Sequence, residues 1–413
     1  MERYSEYKDS GVKWLGEIPS HWEICRFKNF ASLITTPSKD SHKIGLENIE
    51  SASGKFHQSD SEFEGNGVQF QENDIVYGKL RPYLQKVWLA TFSGNAVGDF
   101  FVFRTNKKIS EKYLQYLMLS KSFTDDVNGS TYGAKMPRVS SEYILTMRCT
   151  LPSKSEQNAI VFYLDSVTAR IDEAIAQQQK MIDLLNERKQ IIINKAVTKG
   201  LDPKVKMKPS GIDWIGEIPE HWDVKRGKFL FRIVNDLSTT GDEELLSVSD
   251  KTGVTPRSMK NVNMFMSESL VGYKKCRVGD VCSNIMWMWH GAVGVSKYEG
   301  VISPSYGVYR QIKKNYLDSF LDMLLRIPKL VNYYSVLSTG LTESRLRLYP
   351  SDFLNIYFFV PPIDEQKDIE LYLKKISIPI DFAIENAEKQ ISLLQERKQI
   401  IINDVVTGKV KVV

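Results

Sequence analysis

The sequence has few of the features that mark exported, membrane or zinc-binding proteins. Its four cysteines are scattered through 413 residues without a Cys-x-x-Cys pair, which argues against a zinc site and a disulfide framework. No apolar run approaches the roughly 20 residues that cross a bilayer. The polar residues 1–6 lack the apolar segment of a signal peptide. We therefore expect a protein of the reducing cytoplasm.

Charge bias and cofactor motifs are equally scarce. The 55 Lys and Arg residues exceed the 50 Asp and Glu residues by five, which is too little to indicate a nucleic-acid partner by itself. The sequence contains no P-loop, dinucleotide-binding, H-E-x-x-H or G-x-S-x-G motif. The stretch 360–363 holds paired prolines but lacks the polar and aromatic neighbours of an amino-methyltransferase site. We therefore expect no cofactor, metal or catalytic residue in this chain.

The sequence is internally duplicated. Residues 10–22 return almost unchanged as residues 210–222, and the segment Glu-Arg-Lys-Gln-Ile-Ile-Ile-Asn at 187–194 returns at 396–403. The chain is thus one unit of about 200 residues written twice. Each copy runs from an opening turn through a strand-rich region to a Pro-x-x-x-Glu-Gln junction and a long helical segment.

The two helical segments carry heptad stripes. In the first copy the apolar seam is formed by Leu164, Ile171, Gln178, Leu185, Ile192, Thr168, Ile175, Ile182, Lys189 and Ala196, and in the second by Leu373, Ile380, Ala387, Leu394, Ile401, Ser377, Ile384, Ile391, Lys398 and Val405. Such a narrow stripe is typical of a coiled coil. We favour pairing of the two helices with each other over packing of each on its own globular region. Pro379 predicts a break or kink in the second helix.

The strand-rich regions predict mixed α/β domains. Short β-rich runs at 74–77 and 100–103 are followed by an amphipathic helix over 110–122. The second copy repeats the pattern at 280–282, 306–309 and 316–327. The fold class is therefore α/β, as two mixed domains in a pseudo-two-fold tandem repeat with two long helices. The expected boundaries are 1–152 and 201–361 for the domains, and 153–200 and 362–413 for the helical spacers.

Several recurring residues invite catalytic interpretations that we weigh against packing. His21 and His221 recur within a turn that repeats whole, which favours a structural role. Trp14, Trp22, Trp214 and Trp222 flank the same turn, either as packing aromatics or as a surface for another protein. Asp183, Glu187 and Lys189 resemble a nuclease set but lie on the heptad helix, and Ser392 replaces Asp183 in the second copy.

The two copies differ most at two segments, which are the candidate binding sites. Lys79, Arg81 and Tyr83 align with Ile285, Trp287 and Trp289, and period-two spacing would place each trio on one face of a strand or extended segment. The first trio is cationic and suits phosphate or guanine contacts. The second is aromatic and is followed by His290. Core packing is the alternative for the two tryptophans.

A second variable loop precedes each junction. Its glycines, hydroxyls and cations suit base-edge and phosphate contacts, although ordinary solvent exposure explains them equally well. The net charge is +2 for residues 10–150 and +4 for residues 201–360, so the small positive excess lies on the globular regions. The candidate residues in these loops are Ser130, Thr131, Tyr132, Lys135, Arg138, Thr342, Ser344, Arg345 and Arg347.

Taken together, the duplicated Gly-Glu-Ile-Pro-x-His-Trp turns, Pro-x-x-x-Glu-Gln junctions and Leu-Leu-x-Glu-Arg-Lys-Gln helices resemble the specificity subunits of type I restriction–modification systems. The resemblance covers essentially the whole chain, and stretches such as 78–83 and 287–292 also resemble segments of that family's target-recognition domains. It implies that each domain reads one half of a bipartite, asymmetric DNA site. It also implies an antiparallel coiled coil that sets the half-site spacing.

The resemblance further implies partners and a division of labour. Two methyltransferase subunits would dock on the chain, and restriction subunits would join through them, in a bacterial or archaeal cytoplasm. S-adenosylmethionine, ATP and Mg would belong to those partners, and this chain would not be catalytic by itself. The residues expected at the coiled coil and junctions are Glu156, Gln157, Ile175, Ile182, Leu185, Ile192, Glu365, Gln366, Ile384, Ile391, Leu394 and Ile401.

Two other classes of protein stay open at this point. A stand-alone DNA methyltransferase or nuclease is disfavoured by the missing motifs. A tandem-repeat scaffold outside restriction–modification is disfavoured by the basic globular regions.

Overall fold

A computed structural model describes residues 2–38, 42–59, 63–212, 214–260, 269–342 and 345–412. The chain divides into two units, each of which contains parts of both long helices. Unit 1 comprises Met1–Lys180 and Ala387–Val413, and unit 2 comprises Met181–Asn386. No helix within the described ranges combines the length and apolar character needed to cross a bilayer.

The globular part of unit 1 is built from short strands and three helices. Its strands are β1 Tyr7–Asp9, β2 Glu17–Pro19, β3 Glu23–Arg26, β4 Ala31–Ile34, β5 Pro37–Ser38, β6 Lys43–Ile44, β7 Gly67–Phe70, β8 Ile75–Gly78, β9 Val87–Leu89, β10 Gly94–Ala96, β11 Phe100–Thr105 and β12 Arg148–Leu151. Its helices are α1 Glu111–Leu119, α2 Lys121–Gly129 and α3 Ser141–Thr146, and the long helix α4 Lys154–Lys199 follows.

The globular part of unit 2 repeats this plan. Its strands are β13 Met207–Pro209, β14 Glu217–Pro219, β15 Asp223–Arg226, β16 Phe231–Ile233, β17 Leu246–Ser249, β18 Gly253–Pro256, β19 Lys274–Cys276, β20 Val281–Ser283, β21 Val293–Val295, β22 Gly300–Ile302, β23 Gly307–Gln311 and β24 Tyr357–Val360. Its helices are α5 Gly227–Leu230, α6 Asp318–Leu325, α7 Pro328–Leu337 and α8 Pro350–Asn355, and the long helix α9 Ile363–Val406 follows.

The central sheet has the same strand order in both units. It runs β4-β11-β8-β9 in unit 1 and β16-β23-β20-β21 in unit 2, with antiparallel neighbours throughout. A second sheet of unit 1 pairs β6 parallel to β10, so the sheets of that unit are mixed. The predicted mixed α/β fold is confirmed.

An ion pair to a buried aspartate lies just before β8 in unit 1 and just before β20 in unit 2. Arg104 donates two hydrogen bonds of 2.7 Å to Asp74, and Arg310 donates two of 2.6 and 2.7 Å to Asp280. Both carboxylates are buried, and bidentate pairing is the geometry that offsets the cost of burying a charge. The same device thus holds both copies of the sheet.

The core of each unit is aromatic and closes on the repeated opening turn. Trp22 and Trp222 are fully buried, whereas Trp14 lies half-buried with its ring edge-to-face to Phe123. This confirms packing as the role of these tryptophans. Burial of Trp222 against Phe359, with ring centroids 5.3 Å apart, joins the turn to β24 and thereby to the start of α9.

Within each unit the segments of α4 and α9 run antiparallel. In unit 1 Lys398 donates to Asp172 at 2.7 Å, and the end of α9 accepts a hydrogen bond from Thr150, which lies just before α4. In unit 2 Lys189 donates to Asp381 at 2.6 Å. The two ion pairs are equivalent by the duplication. All seam residues named above are buried or half-buried, which confirms that the stripes pair with each other.

Of the break or kink expected at Pro379, the break is wrong, and the kink stays a prediction. α9 continues through this residue. Proline removes one backbone hydrogen bond and crowds the preceding turn. Here the seam residues Leu373, before Pro379, and Ile380, after it, are both buried. Their packing stabilises the helix despite the lost backbone hydrogen bond.

A matching asparagine of the two long helices has its side-chain oxygen hydrogen-bonded in unit 1, whereas in unit 2 no donor among the described residues reaches that oxygen. Asn403 Oδ1 accepts a hydrogen bond of 2.9 Å from the backbone N–H of Ser122, in the first turn of α2. The matching Asn194 Oδ1 is buried, and no donor among the described residues reaches it. A buried acceptor without a donor is destabilising.

We expect Asn403→Ala and Asn194→Ala to differ in their effects on stability. Asn403→Ala leaves the Ser122 N–H without its partner and should cost about 1 kcal/mol. Asn194→Ala removes an unsatisfied acceptor and should cost close to nothing. Hydrogen exchange of the amides in α2 and α7, with thermal unfolding of both variants, measures the difference. Equal destabilisation by the two variants would contradict the assignment.

Candidate nucleic-acid interface

The two variable segments of unit 1 lie side by side. The backbone N–H of Arg81 donates to Pro137 O at 2.7 Å, and the N–H of Val139 donates to Lys79 O at 3.2 Å. Tyr132 and Arg138 exchange two further backbone hydrogen bonds of 3.0 Å. We call residues 79–83 together with 129–138 the first loop pair. Segments that are about 50 residues apart in sequence therefore form one surface.

Lys79 and Arg138 share one carboxylate in the first loop pair. Arg138 donates two hydrogen bonds, of 3.1 and 3.0 Å, to Asp99, and Lys79 Nζ lies 3.8 Å from the same side chain. The hydrogen bond to Asp99 and its charge raise the pKa of Arg138 above its ordinary value. Asp99 thus fixes both cations while cancelling part of their charge.

The prediction that Lys79, Arg81 and Tyr83 lie on one strand face is wrong. β8 ends at Gly78, Arg81 adopts φ of 50°, and Pro82–Leu84 forms a 3-10 turn. Proline with its fixed φ starts this turn and ends the extended backbone. Arg81 and Tyr83 are nevertheless exposed, and among the described residues Arg81 has no ion-pair partner.

The remaining candidates of the first loop pair divide into two groups. The hydroxyls of Ser130 and Thr131 each donate 2.8 Å hydrogen bonds to carbonyls in the last turn of α2. They therefore terminate the helix. Tyr132 and Lys135 are exposed and are available for contacts with another molecule.

In unit 2 the two variable segments are also joined by backbone hydrogen bonds, with other side chains. The N–H of Leu348 donates to Ile285 O at 3.0 Å, and Thr339 and Arg347 exchange two backbone hydrogen bonds of 3.0 Å. We call residues 285–290 together with 338–347 the second loop pair. Arg345 and Arg347 are exposed and have no ion-pair partner among the described residues. Thr342 is exposed, and Ser344 lies outside the described residues.

The tryptophans of the second loop pair lie at the surface. Trp287 is 55% exposed and Trp289 is half-buried, so the core-packing alternative is wrong for both. Their rings are stacked with centroids 6.0 Å apart, and His290 lies 5.0 Å from Trp289. β20 ends at Ser283 and a 3-10 turn spans Met288–His290, so this trio is also not on one strand face.

The two loop pairs differ in their electrostatics. Ser305 in unit 2 aligns with Asp99 in unit 1. The second loop pair consequently lacks the carboxylate that Lys79 and Arg138 share, and its arginines face solvent. The cations of the first surface are partly neutralised by Asp99. The second surface is aromatic, and its two arginines form no ion pair with any described residue. Both suit an anionic polymer with aromatic bases.

The Glu-Gln junctions join each domain to a long helix. His21 and Trp22 both bond Glu156, at 2.8 and 3.2 Å, and His221 and Trp222 bond Glu365 in the same way. Burial would raise the pKa of Glu156, but hydrogen bonds from His21, Ser153 and Trp22 outweigh it and lower that pKa. This arrangement supports the structural role of the two histidines.

The junction glutamines are entirely buried. Gln157 accepts from Ser110 N at 2.7 Å and donates to Lys108 O and Pro152 O. Gln366 makes the equivalent three bonds to Leu317 N, Asn315 O and Pro361 O. An amide with both its donors and its acceptor used inside the unit fixes the angle at which the helix leaves the domain.

Sequence reasoning missed a set of exposed apolar residues on the long helices. They lie off the seam, and three pairs occupy matching positions of the two copies. Phe162 and Leu371 are 80% and 70% exposed. The other two pairs, all more than half exposed, are Leu184 with Leu393 and Ile191 with Ile400. Their recurrence at matching positions off the seam was visible in the sequence.

Comparisons with known proteins place this architecture in a family. Residues 19–183 match the model of the type I restriction modification DNA specificity domain. The type I restriction enzyme EcoDI specificity subunit of Escherichia coli is 30% identical over 194 residues, which span 45% of this chain and 43% of that protein. The MjaVIII specificity subunit of Methanocaldococcus jannaschii is 24% identical over 98% of this chain and 97% of that protein.

Over nearly its full length the chain is similar to type I restriction enzyme specificity subunits, and residues 19–183 match their DNA specificity domain. The resemblance inferred from the repeated motifs is therefore confirmed. A solved structure described as "Structural basis underlying complex assembly and conformational transition of the type I R-M system" shares the fold of this chain. It has a TM-score of 0.67 and 18% identity, and covers 95% of this chain and 99% of its own.

Proposed function

We propose that this specificity subunit reads a bipartite DNA site, with one half-site contacted by each loop pair. The observation that carries the proposal is that the same two variable segments are joined by backbone hydrogen bonds in both units, with different side chains on them. Similar supports with different contact residues are what two different half-sites require. Two domains that each bind DNA weakly also gain affinity when they are part of one chain, because the second domain then binds intramolecularly.

Each loop pair supplies the residue types that duplex recognition uses. Exposed arginines suit bidentate contacts to guanine or phosphate, and they are Arg81 in unit 1 with Arg345 and Arg347 in unit 2. Tyr83, Tyr132, Trp287 and Trp289 add apolar and stacking contacts. Lys79 and Arg138, held by Asp99, are oriented before DNA arrives.

We expect Arg81→Ala and Arg347→Ala to act on different half-sites. Loss of one arginine contact to a base or phosphate should weaken binding about 5- to 150-fold. Arg81→Ala should relax discrimination at the half-site of unit 1, and Arg347→Ala at the half-site of unit 2. Binding is measured on duplexes altered in one half-site at a time, after the site has been mapped by methylation sequencing. Equal losses at both half-sites from either variant would contradict separate readers.

We further propose that the paired segments of α4 and α9 set the distance between the half-sites. The reciprocal ion pairs of Asp172 with Lys398 and of Asp381 with Lys189 fix the register of the helices in each unit. Half-sites separated by about one turn of DNA, 34–36 Å, suit a spacing that is set by the paired helices.

Insertions of equal length in both long helices test whether the helices set the distance between the half-sites. Seven residues that continue the heptad, added after Lys180 and at the matching point after Lys389, lengthen each helix by about 10.5 Å. That length corresponds to about three base pairs. We expect the recognised spacer to lengthen by about three base pairs while both half-sites stay the same, as read by methylation sequencing. Replacing seven existing residues without insertion is the control, and altered half-sites would refute the role.

Docking of two methyltransferase subunits is the third part of the proposal. The exposed pairs Phe162 with Leu371 and Ile191 with Ile400 give two copies of one apolar surface pattern, and paired surfaces of this kind suit two identical partners. S-adenosylmethionine, and with the restriction subunits ATP and Mg, would be held by the partners. This chain would select the site without performing the chemistry.

We expect a charge at one of these positions to remove one partner. Ile191→Lys and Ile400→Lys should each reduce the complex from two methyltransferase subunits to one, and the double variant should leave none, because lysine does not enter an apolar interface. Native mass spectrometry of the purified complex counts the subunits. Asn186→Lys and Gln395→Lys, exposed on the same helices, are matched controls. Unchanged stoichiometry in the double variant would exclude this surface.

A further inference from the structure

The most exposed tryptophan of the chain lies on a rigid support. The carbonyl of Trp287 accepts hydrogen bonds from the N–H groups of His290 and Ala292, at 3.0 and 3.1 Å. Met288, between the two tryptophans, is fully buried. Trp289 is held in turn because its indole N–H donates to Met286 O at 2.9 Å. An exposed aromatic ring in such a closed turn is already ordered before a ligand arrives.

The stacking surface of Trp287 faces outward in a cationic setting. With Trp289 on one side at a 15° angle between the rings, the exposed half of Trp287 is a flat apolar surface. The backbone hydrogen bond from Leu348 N–H to Ile285 O places Arg347 on the segment next to the one that carries Trp287. An aromatic surface beside solvent-facing arginines complements a nucleobase with its phosphate.

Unit 1 does not have this surface. Arg81 aligns with Trp287, and Tyr83 aligns with Trp289. At these two positions the first loop pair therefore presents a guanidinium and one aromatic ring, whereas the second presents two stacked rings. The backbone differs here as well, because the Arg81 N–H donates to Pro137 O across the first loop pair, whereas the Trp287 N–H donates to Asn284 O within its own turn.

We propose that Trp287 stacks on a nucleobase that is unstacked from its neighbour within the half-site read by unit 2. Insertion of an aromatic side chain at a base step kinks the duplex and favours steps that unstack easily, the pyrimidine–purine steps. Unit 2 thus selects its half-site partly by deformability, and unit 1 selects its half-site by direct contacts. The inference rests on the proposed function and assigns one chemistry to one loop pair.

Crosslinking on the full-length chain with its methyltransferase subunits tests the stacking. 5-Iodouracil, which crosslinks to an aromatic ring stacked on it, replaces each thymine of the mapped site in turn. We expect a crosslink to Trp287, located by mass spectrometry, from the half-site of unit 2. Trp287→Ala should lose that crosslink and weaken binding about 5- to 150-fold, and Trp287→Phe should recover most of the affinity. Tyr83→Ala, in unit 1, should leave the crosslink between Trp287 and the half-site of unit 2 in place.

The outcomes separate this inference from the proposed function. If the wild-type complex discriminates its site but neither the crosslink nor the loss in Trp287→Ala is seen, the stacking role is overturned and the bipartite reading stands. If the wild-type complex does not discriminate sites at all, the proposed function itself fails. Recovery of binding in Trp287→Ala on a duplex already unstacked by a mismatch at that step would support the inference further, and absence of that recovery would count against it.

Discussion

The structure depends on the inability of one narrow apolar stripe to bury itself. Each copy of the duplicated sequence ends in a helix with such a stripe, and in each unit that stripe is covered by a segment of the other copy's helix. The pairing is antiparallel and reciprocal, with Asp172 bound to Lys398 and Asp381 to Lys189. Neither copy is therefore a finished folding unit without a part of the other.

The domains that project from the helices combine invariant supports with variable surfaces. The Asp74–Arg104 and Asp280–Arg310 pairs hold equivalent strands, and Gln157 and Gln366 hold equivalent junctions. The aspartates and glutamines of these contacts are buried and are not among the residues of the two loop pairs. The side chains of the loop pairs can thus change without loss of the scaffold, because their backbone hydrogen bonds do not depend on residue type.

The duplication could be seen directly in the repeated motifs. The long helices, their seam and the mixed α/β class could be predicted because the spacing of apolar residues follows from the geometry of helices and strands. The sequence also located the two segments that form each loop pair. It did not show that they adjoin, since that depends on a ladder between residues far apart, such as Lys79 and Val139. The strand-face prediction failed because Pro82 turns the backbone. Asp99 was missed because nothing near it in sequence indicates its cationic partners.

Asp172 also makes the contact between the domain and the helices of unit 1 dependent on pH. Asp172 binds Lys398 of α9 and also Lys55, from a loop of the domain, at 2.9 Å. Burial would raise the pKa of this carboxyl, but the two ammonium groups outweigh it and lower the pKa below its ordinary value. The bond is therefore complete above the ordinary range of aspartate and is lost as the pH falls through the lowered pKa. One proton then releases the domain loop and the helix together.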